Sequence, residues 1–340
     1  MRPFLGLFSQ QDLIARQEPP DFLSRFFIKK EDSEHYISKS LHNRILSSLT
    51  NPRREIGGNA GNAAVTLSEI GMYSVLSCPR REKSFMESLS KHKIFLIKEG
   101  KEISPVKCSR NEKTPEHIIF EMDGYRKIFN YDVVQQKFIL DMDFWNSIKK
   151  AGYLFLSGFH TVPEKHMKKV NEIADFLEKR SFKVHLELGF GKDTVKYSAK
   201  KLIDRNCIDS VGMNDTETDI IGITKAQPNK MAENALAFLE KTGIERISIH
   251  SREYRLIIFR RNLQKNLRAA EFSIDVCAAK ALGNIKDNLE NARSVPFSGV
   301  QLIKQKNFFI IPSRIVEKPK IIVGMGDAAA VTESYYALKK

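Results

Sequence analysis

Behind a glycine pair, the apolar residues Ala60, Ala63, Ala64, Leu67 and Ile70 recur at helical spacing and stop at Gly71. That pattern predicts a helix that starts after Gly57-Gly58 and ends on a glycine. The period then shortens. Ile94-Phe95-Leu96-Ile97, Ile118-Ile119-Phe120 and residues 125–129 read as short strands, separated by turn signals at Lys98-Glu99-Gly100 and Asp123-Gly124. A hairpin is expected across Asp123-Gly124, and these strands predict a small antiparallel sheet appended to a larger domain.

From residue 153 onward, strand and helix patterns alternate. Residues 153–159 read as a strand, and 163–179 as a helix with Met167, Val170, Ile173, Ala174 and Leu177 on one side. Strands at 183–188, 210–213 and 246–250 then alternate with helices at 195–204 and 231–241. This rhythm predicts a mostly parallel sheet with helices on both faces and ligands at the rim where its strands end. The first 50 residues give a weaker pattern: Phe22, Phe26 and Phe27 anchor a short helix, and 36–47 carries helical spacing.

A chain of 340 residues suits one main α/β domain with a smaller appendage. No run approaches the roughly 20 apolar residues that span a bilayer, and no leader-cleavage pattern is present, so a soluble, cytoplasmic protein is expected. Cys78, Cys108, Cys207 and Cys277 are scattered without zinc-ligand spacing, which fits a reducing compartment. The net charge of +14 admits a nucleic-acid partner. Yet the basic residues are spread in pairs such as Arg53-Arg54, Lys168-Lys169, Lys200-Lys201 and Arg260-Arg261, with no zinc finger or RNP-like strand. No dedicated nucleic-acid partner is expected, and the distribution suits phosphorylated metabolites equally well.

Candidate chemistry concentrates in glycine turns and polar strand ends. Ile321-Ile322-Val323 reads as the end of a buried strand, and Gly324-Met325-Gly326-Asp327 as the passage into an apolar helix. Gly324 and Gly326 would expose backbone donors, which together with the helix dipole stabilise a phosphoryl group in transfer. Asp327 has two open roles, general base toward an attacking hydroxyl or helix cap. His185 and Glu187 share one side of a strand, and Asn214-Asp215-Thr216-Glu217 follows another. Glu187 and Glu217 suit a sparse magnesium site, or else are an exposed strand end and a first-turn charge. His185 reads as structural in preference to catalytic.

Ile56-Gly57-Gly58-Asn59-Ala60-Gly61-Asn62 repeats the strand-to-helix logic on the substrate side. Gly57 and Gly58 admit a hydroxyl-rich ligand, with Asn59 and Asn62 as donors and acceptors, or with Asn59 as an N-cap. His160 closes the Ser157-Gly158-Phe159-His160 strand end as a further pocket-rim candidate. Arg252, Arg255, Arg260 and Arg261 are candidates for a sugar phosphate or simply solvated surface. Neither the dinucleotide fingerprint Gly-x-Gly-x-x-Gly nor a P-loop is present.

In their order, Gly57-Gly58-Asn59-Ala60-Gly61, Leu156-Ser157-Gly158-Phe159, His185-Leu186-Glu187-Leu188, Val211-Gly212-Met213-Asn214 with Glu217, and the 311–319 segment before Gly324-Met325-Gly326-Asp327 resemble the ADP-dependent glucokinase and phosphofructokinase family. The resemblance spans about residues 56–340. It implies an α/β, ribokinase-like fold, a Rossmann-like central sheet flanked by helices with a small β-rich lid. The corresponding division is 1–55 as a segment partly contributing to the lid, 56–93 as the first part of the large domain, 94–132 as the lid, and 133–340 as the nucleotide-binding domain. It further implies Asp327 as base, the backbone from Gly324 to Asp327 as the anion hole, and Glu187 with Glu217 at Mg2+. Gly58 and Asn59 fall at the sugar-binding turn, while Glu187, Asn214, His250, Met325 and the stretch from Ile311 to Pro319 fall at the nucleotide. ADP is the implied donor, a sugar or sugar phosphate the acceptor, and a monomer or small homo-oligomer the expected assembly.

Overall fold

The computed structural model describes residues 2–123, 125–189 and 193–339. Gly124, on which the expected hairpin turn depends, lies outside them. In chain order the strands begin β1 (Pro3–Gly6), β2 (Gln10–Ala15), β3 (Ser33–Tyr36), β4 (Arg53–Gly57), β5 (Ser74–Leu76), β6 (Ile94–Lys98), β7 (Lys101–Ile103) and β8 (Glu116–Met122). They continue as β9 (Tyr125–Asn130), β10 (Tyr153–Leu156), β11 (Lys183–Glu187), β12 (Ser210–Asn214), β13 (Arg246–His250), β14 (Tyr254–Phe259), β15 (Ile303–Lys304) and β16 (Phe308–Pro312).

An 11-stranded sheet runs β15-β16-β14-β13-β12-β11-β10-β1-β5-β6-β7. Its middle, from β6 through β13, is parallel, and β14, β16 and β15 add an antiparallel edge. Burial on both faces explains strands such as Tyr153-Leu154-Phe155-Leu156, which is apolar at every position. One face packs Phe4, Phe144, Trp145 and Ile173, and the other packs Ala60, Ala63, Leu67, Phe155 and Val331. Among the described residues no helix is long and apolar enough to cross a membrane.

A second sheet of five strands, β3-β9-β8-β2-β4, forms the lid. Its core of Leu13, Leu23, Ile45, Ile118, Phe120 and Phe129 is separate from those of the large domain. The lid therefore differs from the expected 94–132 segment. β6 and β7 belong to the large sheet, where β6 pairs parallel with β5, while β2, β3 and β4 come from the first 55 residues. The reason is visible in β6, where Ile94, Leu96 and Ile97 are buried across both sides of the strand, as a parallel position demands. Nor is the lid purely antiparallel: β2 runs parallel to β8, and β3 to β9.

Two further expectations shift. Residues 164–169 form a 3-10 turn before the helix Val170–Leu177. Residues 321–323 are not a strand. Val323 packs instead on Ile14 and Ile119 of the lid, so the end of the apolar run is buried by a contact between domains while Ile321 and Ile322 stay half-buried.

One buried ion pair clamps the sheet edge. Arg81, 2% exposed, donates to both carboxylate oxygens of Asp141 at 3.0 and 3.1 Å, and Asp141 also accepts from the Cys78 amide at 2.9 Å. Removing one partner strands the other charge in the core. Asp141→Ala should therefore lower stability by about 3–5 kcal/mol, read as a lower thermal midpoint, and Arg81→Met combined with Asp141→Leu should recover much of the loss. An unchanged midpoint in the single variant would reject the clamp.

Candidate active site

The last helix, Met325–Leu338, starts after Gly324 in the left-handed region (φ 69°). A Cβ there would lie 2.7 Å from the Asn62 side chain, so glycine is required on two counts. The first backbone N–H groups of this helix, at Met325, Gly326 and Asp327, have no intrahelical acceptor and point outward with the positive end of the dipole. Asp327 is buried and does not cap the helix. Its carboxylate accepts from Asn59 Nδ2 at 2.7 Å and Asn62 Nδ2 at 3.1 Å.

Both asparagines sit on the helix Asn59–Glu69, three residues apart and thus on one face. Gly58 (φ 74°) is its N-cap residue, so Asn59 is helical and its side chain is free for Asp327. At Gly58 a Cβ would meet the Phe8 carbonyl at 2.8 Å. Gly57 does not face the cleft; it backs the Asp12 carboxyl, which a Cβ would approach to 2.0 Å. Burial raises the pKa of Asp327, and the Asn59 hydrogen bond, the Lys280 charge and the Asn62 hydrogen bond oppose that rise.

The N-terminal segment supplies residues that the sequence pattern did not reveal. β1 lies at the centre of the large sheet, and the chain passes from it into the lid through β2, carrying Gln10 and Asp12 into the cleft. Gln10 Nε2 contacts His117 Nδ1 at 2.7 Å, and His117 Nε2 contacts Asp132 Oδ2 at 3.2 Å. Burial pushes Asp12 up to about 6. The available signal was Gln10 and Asp12 two residues apart just after the apolar run 3–8, hence on one side of a strand.

Glu187 ends β11, with Gly212 of β12 leaving room for it: a Cβ at Gly212 would stand 2.0 Å from Glu187 Oε2. His185 is fully buried, stacked on Phe155, and joins Ser210 Oγ (3.0 Å) to Glu187 Oε2 (3.1 Å). His250 Nε2 lies 3.6 Å from Glu187 Oε1. Burial lowers both histidines, His250 to about 3 with the Arg255 charge assisting, so both are neutral at pH 7. Burial raises Glu187 well above the usual carboxylate range, and the charges of Glu217 and Asp327 add to this. Glu217, also raised by burial, accepts from the Asn214 amide at 3.0 Å and from Asn214 Nδ2 at 2.7 Å.

Neither glutamate has a lysine or arginine within 4.0 Å among the described residues. Among the described residues no group of three His, Cys, Asp or Glu is arranged to hold a metal by itself. Two hard, uncompensated carboxylates fit a hydrated Mg2+ whose remaining ligands are waters and phosphate oxygens.

These residues line two chambers. The first, about 280 Å³, lies under the lid and gathers Gly58, Asn59, Asn62, His160, Glu187 and Asp327 with Gln10 and Asp12. The second, about 970 Å³, runs past Arg255, Cys277 and the 313–320 loop and includes Pro319. Asn214, His250, Met325 and Gly326 border both, so the N-terminus of the last helix is their common wall. Ile311 lines neither; it is 5% exposed in an apolar cluster with Phe259, Leu267 and Phe309. Of the other arginines considered, Arg252 borders the second chamber, and Arg260 binds the carbonyls of Leu239 and Ile244.

A doubly covered α/β sheet with a strand-built lid and an anion-binding helix N-terminus at the rim defines the ribokinase-like fold. An ADP-dependent kinase in complex with fructose-6-phosphate and ADPβS superimposes with a TM-score of 0.79 at 19% identity, over 99% of this chain and 94% of that one. A phosphofructokinase from Pyrococcus horikoshii OT3 with AMP gives 0.76 at 16% identity, over 99% and 97%. The sequence model described as ADP-specific phosphofructokinase/glucokinase conserved region matches residues 10–334, and the chain belongs to that family. An ADP-dependent glucose/glucosamine kinase from Pyrococcus furiosus is 27% identical over 284 residues, 67% of this chain. The matched part spans 62% of the length of that relative, and likewise of its counterpart from Pyrococcus abyssi.

The unpaired glutamates set a stability cost. Because folded Glu187 holds its proton more tightly than an ordinary glutamate at 4.5, it lowers stability as pH rises from that value through its raised one. Glu187→Gln should therefore raise the ligand-free thermal midpoint at neutral pH by about 1–4 °C, with the gap closing toward pH 4. A lowered midpoint at neutral pH would contradict this electrostatic reading.

Proposed function

We propose that the protein is an ADP-dependent sugar kinase, transferring the β-phosphoryl group of ADP to a hydroxyl of a sugar or sugar phosphate and releasing AMP. The observation that carries this reading is the placement of Asp327 and the free N–H groups of its helix on the wall between two chambers. A polyphosphate lying in the second chamber can present its last phosphoryl group to that wall, and a hydroxyl in the first can approach from the opposite side. Family membership and the ligands named for the similar kinases support the choice of ADP and of a sugar-type acceptor.

Asp327 accepts the hydroxyl proton as the oxygen attacks, and the amides of Asn59 and Asn62 hold its carboxylate in place and favour its charged form. The N–H groups of Met325, Gly326 and Asp327 stabilise the charge on the moving phosphoryl group. Gln10, Asp12 and His160 orient the acceptor. Glu187 and Glu217 would hold Mg2+, which when bound neutralises polyphosphate charge. β2, β8 and β9 cover the first chamber and exclude water, limiting hydrolysis of the donor.

The test is AMP formation from Mg-ADP across a panel of sugars and sugar phosphates, with ATP run in parallel. Sugar-dependent AMP is expected with ADP; turnover with ATP alone would overturn the donor assignment. Asp327→Asn should keep the fold and nucleotide affinity but lose about 10²–10⁴-fold in kcat. Because burial raises the Asp327 pKa, kcat should fall on the acid side at a pH above the ordinary aspartate value of 3.8. Turnover of Asp327→Asn at the parental rate would remove Asp327 from the base role.

A further inference from the structure

Arg255 stands on β14 directly opposite His250 on β13, so the two side chains share a sheet face. It is 6% exposed and borders the second chamber only. Nη1 donates to the Ser251 carbonyl at 3.1 Å and Nη2 faces Cys277 Sγ at 3.6 Å, while Nε has no hydrogen-bond partner. Among the described residues no carboxylate lies within 4.0 Å of its guanidinium. The other two deeply buried arginines differ sharply: Arg81 is paired with Asp141, and Arg246 with Glu333.

A buried guanidinium without a counter-ion is costly, and in a chamber wall it is complementary to an anion. A second orphaned group faces the same space. Ser313 lies two residues beyond Ile311, the strand partner of Arg255, and therefore on the same face. Its hydroxyl is buried, unpartnered, and borders the same chamber.

The geometry points to Arg255, aided by Ser313, as an anion-binding residue of the donor chamber that takes the phosphate remaining with the nucleotide after transfer. This inference rests on the ADP-kinase reading and divides the donor between two anion sites. The transferred group belongs to the N–H groups at Met325 and Gly326, which border both chambers, and at Asp327, which borders the first. The α-phosphate, which never enters the acceptor chamber, belongs to Arg255. Cys277 ties the two sites together, since its thiol meets Arg255 and also donates to the Met325 carbonyl at 3.7 Å. Guanidinium is suited to this work because its parallel N–H groups match two phosphate oxygens at once.

Calorimetric titration with ADP, AMP and adenosine tests the assignment in wild-type protein, Arg255→Met, Arg255→Lys and Ser313→Ala. Arg255→Met should weaken ADP and AMP about tenfold or more while leaving adenosine unchanged, since only the phosphate loses its charged donor. Arg255→Lys should fall between, keeping charge without the paired donors. Its ligand-free thermal midpoint should show that Arg255→Met folds, at or above the wild-type value. Wild-type ADP and AMP affinity in Arg255→Met would overturn the inference alone, as would an equal loss for adenosine, which marks a structural role. Wild-type protein that binds none of the three would overturn the ADP reading and this inference with it.

Discussion

The hydrogen bonds from Asn59 and Asn62 to Asp327 join segments 268 and 265 residues apart, and the arrangement of the cleft follows from them. They can form only if the helix after β4 and the last helix meet side by side at the rim of the large sheet. Ala60, Ala63 and Ala64 permit that approach against Ala330 and Val331, and Gly324 leaves space for the Asn62 side chain. The same contact holds a carboxylate beside the N-terminus of a helix, where the dipole favours its charge and where a phosphoryl group would also be drawn. One junction thus positions both the Asp327 carboxylate and the free N–H groups of the last helix.

Around that junction compensating charge is sparse: Lys280 opposes the raised pKa of Asp327, and among the described residues no lysine or arginine lies within 4.0 Å of Glu187 or Glu217. Glu187, Glu217 and Asp327 are all buried with raised pKa values, and their histidine neighbours are held neutral. On the opposite side, Arg255 is buried without a carboxylate. The other two deeply buried arginines are closely paired, at Arg81–Asp141 and Arg246–Glu333. Within the cleft, by contrast, poorly compensated negative charge lies at one end and Arg255 at the other. Under the proposed function, a ligand carrying both a cation and phosphates would neutralise both ends together and so couple nucleotide binding to stability.

Much of this was readable from residues alone where the signal is local. Gly324-Met325-Gly326-Asp327, the Gly58-Asn59 turn, and the strand ends at Glu187 and Asn214 each combine a special backbone position with adjacent polar residues, and all converge on the cleft. What failed was partner choice. Ile94–Lys98 is a strand as its pattern predicts, but nothing within five residues states which sheet receives it. Ile321-Ile322-Val323 looks like a strand because it is apolar, whereas the burial of its end comes from Ile14 and Ile119 across the domain boundary. Gln10 and Asp12 escaped notice because polar residues in an unassigned segment acquire meaning only once β2 is paired with β4 and β8. The helix Leu263–Leu282, 20 residues long, was likewise unassigned, although it carries Cys277 to the second chamber.

The lid joins these strands of reasoning. Its sheet is threaded from the large domain twice on its amino-terminal side: β1 leads out into β2, and β4 leads back into the helix bearing Asn59 and Asn62. Any displacement of β2 and β4 therefore acts directly on Asp12 and, through Gly57 and Gly58, on the asparagines that hold Asp327. The lid also touches the loop before the last helix through Ile14, Ile119 and Val323. The lid residues that line the first chamber, the orientation of the Asp327 carboxylate and the path into the Gly324 turn are consequently parts of one mechanical unit. Under the proposed function, a lid strand that moved toward an acceptor would also move the residues that position Asp327, physically linking binding to alignment.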